Sequence, residues 1–151
     1  MNKFAIMLLL LITTPFACAQ QKQDYTFEDD QKKVLGPWHV HYIAFSTTFL
    51  TPQIARANGI TRSPNKVLVN ISVLDKYTKK AQQVELTGNA RNLMGRSSEL
   101  EFKQVKEGDA IYYLAQMSFD DEDHYRFQIN IKQGNSTQLL KFEQKLYEES
   151  N

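Results

Sequence analysis

Tyr125-Arg126-Phe127-Gln128-Ile129-Asn130-Ile131-Lys132 alternates without a fault, with Tyr125, Phe127, Ile129 and Ile131 on one side and Arg126, Gln128, Asn130 and Lys132 on the other. Successive side chains of an extended chain point to opposite faces, so this stretch is a strand with one dry and one wet face. Such a strand belongs to an antiparallel sheet that packs on a core by a single face. The acidic turn Asp120–Asp123 leads into it, and Gln133–Ser136 turns the chain into a last strand on which Leu140, Phe142 and Leu146 share a face.

The same period recurs toward the N-terminus. Glu107-Gly108-Asp109 makes a tight turn into Ile111, Tyr113, Ala115, Met117 and Phe119; Leu100 and Phe102 mark one strand, and Val84 and Leu86 begin another that runs on through Gly88, Ala90 and Asn92. Val67–Leu74 is closed by the polar turn Asp75–Lys80. After Gly36-Pro37, Trp38, Val40, Tyr42 and Ala44 line one face of a strand whose other face shows His39, His41, Ile43 and Phe45. Tyr25–Phe27, following the polar lead Gln20–Gln23, reads as a first edge strand. Short alternating runs broken by turns every 8 to 12 residues or so are the signature of a sandwich or barrel, here of seven or eight strands.

One segment has helical chemistry. Thr51 can cap, Pro52 suits the first helical position, Ile54–Asn58 follow, and Gly59 ends the turn. The connection that holds this helix, Phe49–Asn65, is too long for a hairpin and is expected to cross from one sheet to the other, as in Greek-key sandwiches.

The N-terminus reads as an export signal. Lys3 is followed by the apolar run Phe4–Ile12, the helix breaker Pro15 and the cleavage-like Ala17-Cys18-Ala19. A membrane span needs roughly 20 apolar residues, more than this run supplies. Cleavage before Gln20 is expected to release one domain, 20–151, into the periplasm. The alternative is lipidation of Cys18, which would leave the domain tethered. Cleavage leaves 132 of the 151 residues, with 17 Lys+Arg against 17 Asp+Glu and no cysteine. A neutral surface offers no field for nucleic acid and no polybasic segment for a membrane. Without disulfides the domain must be held by its core.

Five stretches carry a family resemblance. They are His41-Tyr-Ile-Ala-Phe-Ser-Thr-Thr-Phe-Leu-Thr-Pro52 with Ala55 and Gly59-Ile-Thr-Arg-Ser63, then Leu68-Val-Asn-Ile-Ser-Val-Leu-Asp75, Gly88-Asn-Ala-Arg-Asn-Leu93, Glu107-Gly-Asp-Ala-Ile-Tyr-Tyr-Leu114 and Leu140-Lys-Phe-Glu-Gln-Lys145. In this order they resemble a bacterial family known as domain of unknown function 4426 (DUF4426). The resemblance implies an exported protein of the Gram-negative envelope with an immunoglobulin-like β-sandwich, and it implies no activity or catalytic residue.

Searching for chemistry mostly removes classes. The six glycines are scattered, which leaves no dinucleotide or phosphate loop, and there is no G-x-S-x-G elbow. A Ser-His-Asp hydrolase has no support from spacing, with only three histidines present. His39 and His41 share a strand face and could clamp a metal, but two imidazoles need a third ligand, from His124, a carboxylate, or for copper Met94 and Met117. Asp120–Asp123 lacks the spacing and glycine of a calcium loop. Glu99 and Glu101 beside Lys103 read as the wet side of a sheet, and Asn70-Ile71-Ser72 and Asn135-Ser136-Thr137 match the glycosylation sequon.

Two positive features remain. Tyr112 and Leu114 lie on the face opposite the core residues of their strand, and are either covered by the helical connection or form a partner surface. Arg62, Arg91 and Arg96 flank turns; Arg91 stands beside Asn92, so a group such as His41, Tyr42, Arg62, Arg91 and Asn92 is a candidate for a small anionic ligand, while each arginine alone could equally bond loop carbonyls. The expected function is a binding or assembly module without catalysis or cofactor, meeting an envelope protein or a second copy of itself; a ligand or metal binder is the alternative, and an enzyme comes third.

Overall fold

The computed structural model describes residues 31–148. Nine strands occupy them: β1 (Lys32–Leu35), β2 (Trp38–Ser46), β3 (Lys66–Asp75), β4 (Glu85–Asn92), β5 (Ser97–Leu100), β6 (Lys103–Glu107), β7 (Ala110–Ser118), β8 (Asp123–Gln133) and β9 (Ser136–Leu146). A single α-helix, α1 (Pro52–Asn58), lies between β2 and β3. One sheet has the order β1-β2-β3-β7-β6 and the other β5-β4-β8-β9, all pairs antiparallel. Apart from β1, these are the A-B-E-D and C′-C-F-G sheets of an immunoglobulin-like Greek key.

The core is built by the alternation that the sequence displays. Val40, Val67, Val69, Ile71 and Val73 from the first sheet meet Phe127, Ile129, Ile131 and Leu140 from the second, and all are fully enclosed. Phe142 stacks on Phe127 at 4.5 Å and on Tyr42 at 4.5 Å, so three rings bridge the sheets. Aromatic stacks of this kind add to plain area burial. The Tyr113 hydroxyl accepts the Val84 N–H at 2.8 Å, which satisfies a buried donor in the β3–β4 connection; burial raises its pKa above the ordinary phenol value.

Two expectations need correction. The region around Leu100 and Phe102 holds two strands, not one: β5 ends at Leu100, and Glu101-Phe102 carries the chain to the other sheet as β6, which makes nine strands among the described residues where seven or eight were expected. The helical connection does not change sheets, because β2 and β3 are antiparallel neighbours paired from Trp38↔Asp75 to Ser46↔Val67. Its ends are drawn together by buried Thr47, whose hydroxyl donates to Ser63 O (3.1 Å) and accepts Ser63 N–H (2.9 Å), and its middle is clamped by Gln116 of β7, which bonds Thr61 N–H (2.9 Å) and Gly59 O (3.3 Å). The connection therefore folds back over the outer face of its own sheet. Among the described residues β1 is the edge strand next to β2; the expected strand Tyr25–Phe27 and the expected export signal lie outside the described residues.

The helix itself forms as its caps require. Thr51 Oγ1 accepts Ile54 N–H, Pro52 opens the first turn, and Gly59 closes it at φ +67, a conformation in which glycine is favoured. Leu50, Ala55 and Ile60 bury a second small core against Leu68, with Phe45 and Leu114 packed alongside. Leu114 is thus covered by the connection. Tyr112, next to it on the face and paired with Val105 of β6, is half-buried.

Candidate functional site: the loop end of the sandwich

The residues singled out for a ligand do not converge. Tyr42 faces the core on Phe142. His41 lies on the opposite face of β2, half-buried. Arg62 donates to Thr48 O at 3.0 Å and fixes the β2–β3 connection, whereas Arg91 is on the outer face of the second sheet, donating to Gly95 O at 3.2 Å. Each arginine holds a loop carbonyl, and the two belong to different sheets. Asn70 of the first sequon is half-buried in the middle strand β3, where no glycan has room.

His39 and His41 share a face, but in the wrong electrostatic setting for a cation. Lys79 Nζ sits 3.0 Å from His39 Nδ1, and Lys32 and Lys76 are close by. Both imidazoles are held below the ordinary 6.5, first by desolvation and then by charge: Lys79, Lys32 and Lys76 for His39, and Lys32, His39 and Lys79 for His41. Met117 points into the core on the other side of the sheet, Met94 is on the second sheet's β4–β5 turn, and no group of three His, Cys, Asp or Glu among the described residues is placed to hold a metal.

The lowered histidines make a pH prediction. An unfolded chain has ordinary imidazoles, so between the folded value and about 6.5 it binds more protons than the native state, and stability must fall as pH falls through that window. Urea midpoints of wild type are expected to drop between about pH 7.5 and about pH 5.5, and His41→Gln to flatten that slope. A wild-type midpoint that holds steady or rises on acidification contradicts it.

A second region is built with more care. At one end of the sandwich lie the start and finish of the β2–β3 connection, the β4–β5 turn, the β7–β8 turn and the C-terminal end of β9. The acidic β7–β8 turn is the hub there. Asp120 Oδ2 takes Arg96 at 2.6 Å, Asp121 Oδ1 accepts the N–H groups of Glu122 (2.9 Å) and Glu148 (2.8 Å), and Asp123 accepts Asn92 Nδ2 at 2.7 Å and its neighbour His124 N–H at 2.7 Å. Asn92 is buried, and its Oδ1 also accepts Arg96 N–H at 2.8 Å. Three of the four carboxylates of this turn, Asp120, Asp121 and Asp123, are thus spent on donors of neighbouring segments, while Glu122 pairs with Lys145 at 3.8 Å. Glu122 adopts φ +54, as a tight turn demands.

Around this hub four large apolar side chains stand in solvent: Phe49 is 67 % exposed, Leu93 65 %, Met94 87 % and Tyr147 56 %. Phe49 and Tyr147 border an open cleft of about 190 Å³ whose floor includes Ala44, Val67, Phe119 and Leu146. Folding tends to bury such groups, and here four of them remain exposed on loops at one end. Sequence reasoning missed this end because its residues come from four distant segments. One signal was available: Leu93-Met94 stands between Asn92 and Gly95, apolar side chains in a turn where polar ones are usual.

The fold and this surface define an immunoglobulin-like β-sandwich with an apolar loop end. The chain belongs to the family described as Domain of unknown function (DUF4426), whose pattern matches residues 32–149. It is similar to the crystal structure of a DUF4426 family protein from Pseudomonas aeruginosa PAO1, with 30 % identity and a TM-score of 0.70 over 80 % of this chain and 96 % of that one. It also shares its fold with the FetP protein of a uropathogenic Escherichia coli strain, recombinantly expressed in the periplasm of E. coli (10 % identity, TM-score 0.59, 79 % of this chain and 94 % of that one). A copper-bound single-residue variant of FetP compares at 11 % identity and TM-score 0.57, over 80 % and 91 %. No curated protein matches the sequence.

Proposed function

We propose that the mature domain is a non-catalytic binding or assembly module of the bacterial envelope, which engages a protein partner through the loop end formed by Phe49, Leu93, Met94 and Tyr147. The observation that carries this reading is that four exposed apolar side chains stand at one end of the sandwich, with the turn of Leu93 and Met94 and the strand end beside Tyr147 tied to the β7–β8 turn through Asp120, Asp121 and Asn92. Rigid loops present such groups at little cost in ordering on binding. An envelope address is supported by the export signal and by the shared fold with a protein expressed in the periplasm. Among the alternatives, a cation at His39 and His41 would have to displace the influence of Lys32, Lys76 and Lys79.

A Leu93→Ser/Met94→Ser/Tyr147→Ser variant is expected to keep the wild-type circular dichroism spectrum and melting temperature, since all three side chains are exposed. In affinity capture from envelope extract it should lose at least about tenfold of the partner that wild type retains, while Tyr112→Ser retains it. Equal capture by the loop-end variant, or loss only with Tyr112→Ser, would reject the loop end as the docking surface.

A further inference from the structure

We infer that Met94 is a reversible oxidation site, a thioether held out in solvent by a turn that does not depend on it. Its consequence for docking rests on the loop-end reading above; the chemistry does not. The chain has four methionines, of which Met1 and Met7 belong to the export signal. The remaining pair is sharply unequal: Met94 is 87 % exposed and Met117 is 5 % exposed, enclosed in the core.

The turn around Met94 is fixed by other groups. Asn92 N–H bonds Arg96 O at 2.9 Å, Gly95 N–H bonds Asn92 O at 3.1 Å, Gly95 takes φ +86, and the Arg91 and Arg96 side chains hold the turn at Gly95 O (3.2 Å) and Asp120 (2.6 Å). The thioether is therefore accessible, and the fold does not need it to stay apolar. The oxidant is a peroxide of the oxidising compartment. A sulfur lone pair attacks one peroxide oxygen, the S–O bond forms as the O–O bond breaks, and the leaving hydroxide takes the other proton as water; sulfur is oxidised and the peroxide reduced. The sulfoxide is polar, and methionine sulfoxide reductases return it to the thioether. One oxygen atom on this turn thus changes the character of the apolar end without unfolding the domain.

The test treats the purified mature chain with dilute hydrogen peroxide and follows both methionines by peptide mass mapping. Met94 is expected to take up one oxygen at least about tenfold faster than Met117, with the melting temperature moved by less than about 1 °C when Met94 is fully oxidised. Met94→Leu should abolish the fast uptake. Equal rates at the two sites would overturn the inference, and so would a melting temperature that falls in step with Met94 oxidation. None of these readouts involves a partner, so their failure and the failure of the docking surface are distinguishable.

Discussion

Phe127→Ala is expected to destabilise the domain by about 3–5 kcal/mol, the largest effect of any single truncation proposed for this chain. Phe127 is fully enclosed in the middle of β8 and stacks almost parallel on Phe142, 6° between ring planes, which in turn stacks on Tyr42 across the sheets. Removing the ring opens a cavity between two sheets whose backbones are pinned by pairing on both sides of β8, so the walls have little freedom to collapse. Domains of this size have only about 5–15 kcal/mol in hand, and no disulfide backs this one up. Urea unfolding should show a midpoint lowered at unchanged slope, or a chain unfolded before denaturant is added. A shift worth less than about 1 kcal/mol would mean that the three-ring stack does not bridge the sheets as described.

Gly88→Ala is expected to be nearly as harmful, although it adds one methyl group. A Cβ at Gly88 would sit 2.6 Å from Gln128 O and 3.0 Å from Ile129 Cα, both backbone atoms of the paired strand β8. A side-chain tip could swing aside, but backbone locked in a ladder cannot, so β4 and β8 must separate and strain neighbouring bonds. Overpacking of this kind costs about 1–3 kcal/mol, and the upper end is expected here. A chain-entropy argument alone would predict a gain from the same substitution, since alanine narrows the unfolded ensemble. The measured sign of the change in urea midpoint decides between close approach and chain entropy.

Much of this was legible in the residues. Alternation placed the cores of most strands, and Thr51, Pro52 and Gly59 announced α1 to within a residue or two, because caps and period are local properties. The sheet assignment of the β2–β3 connection was not legible. A long segment suggests a crossover by its length alone, whereas what holds it over its own sheet is a set of long-range bonds, Thr47 to Ser63 and Gln116 to Gly59 and Thr61, that no pattern encodes. The same limit applied to the candidate site. His41, Tyr42, Arg62, Arg91 and Asn92 stood out as chemistry-bearing types near turns, yet strand alternation puts Tyr42 in the core and pairing puts Arg62 and Arg91 on different sheets. Of the two readings of Leu114, the covered one agrees with its packing beside Leu50, Ala55 and Ile60. Phe49, Leu93-Met94 and Tyr147 are far apart in the sequence, and stand together only because three chain segments end at one end of the sandwich.

The central claim, that this end meets a partner, is tested most directly by site-specific photo-crosslinking in living cells. A photoreactive amino acid is introduced in turn at positions 93, 94 and 147, and at position 77, where Tyr77 is 82 % exposed in the β3–β4 connection at the opposite end. Discrete crosslinked adducts at 93, 94 and 147, absent at 77, are the predicted result; adducts at 77 with none at the loop end, or none at any position, would contradict it.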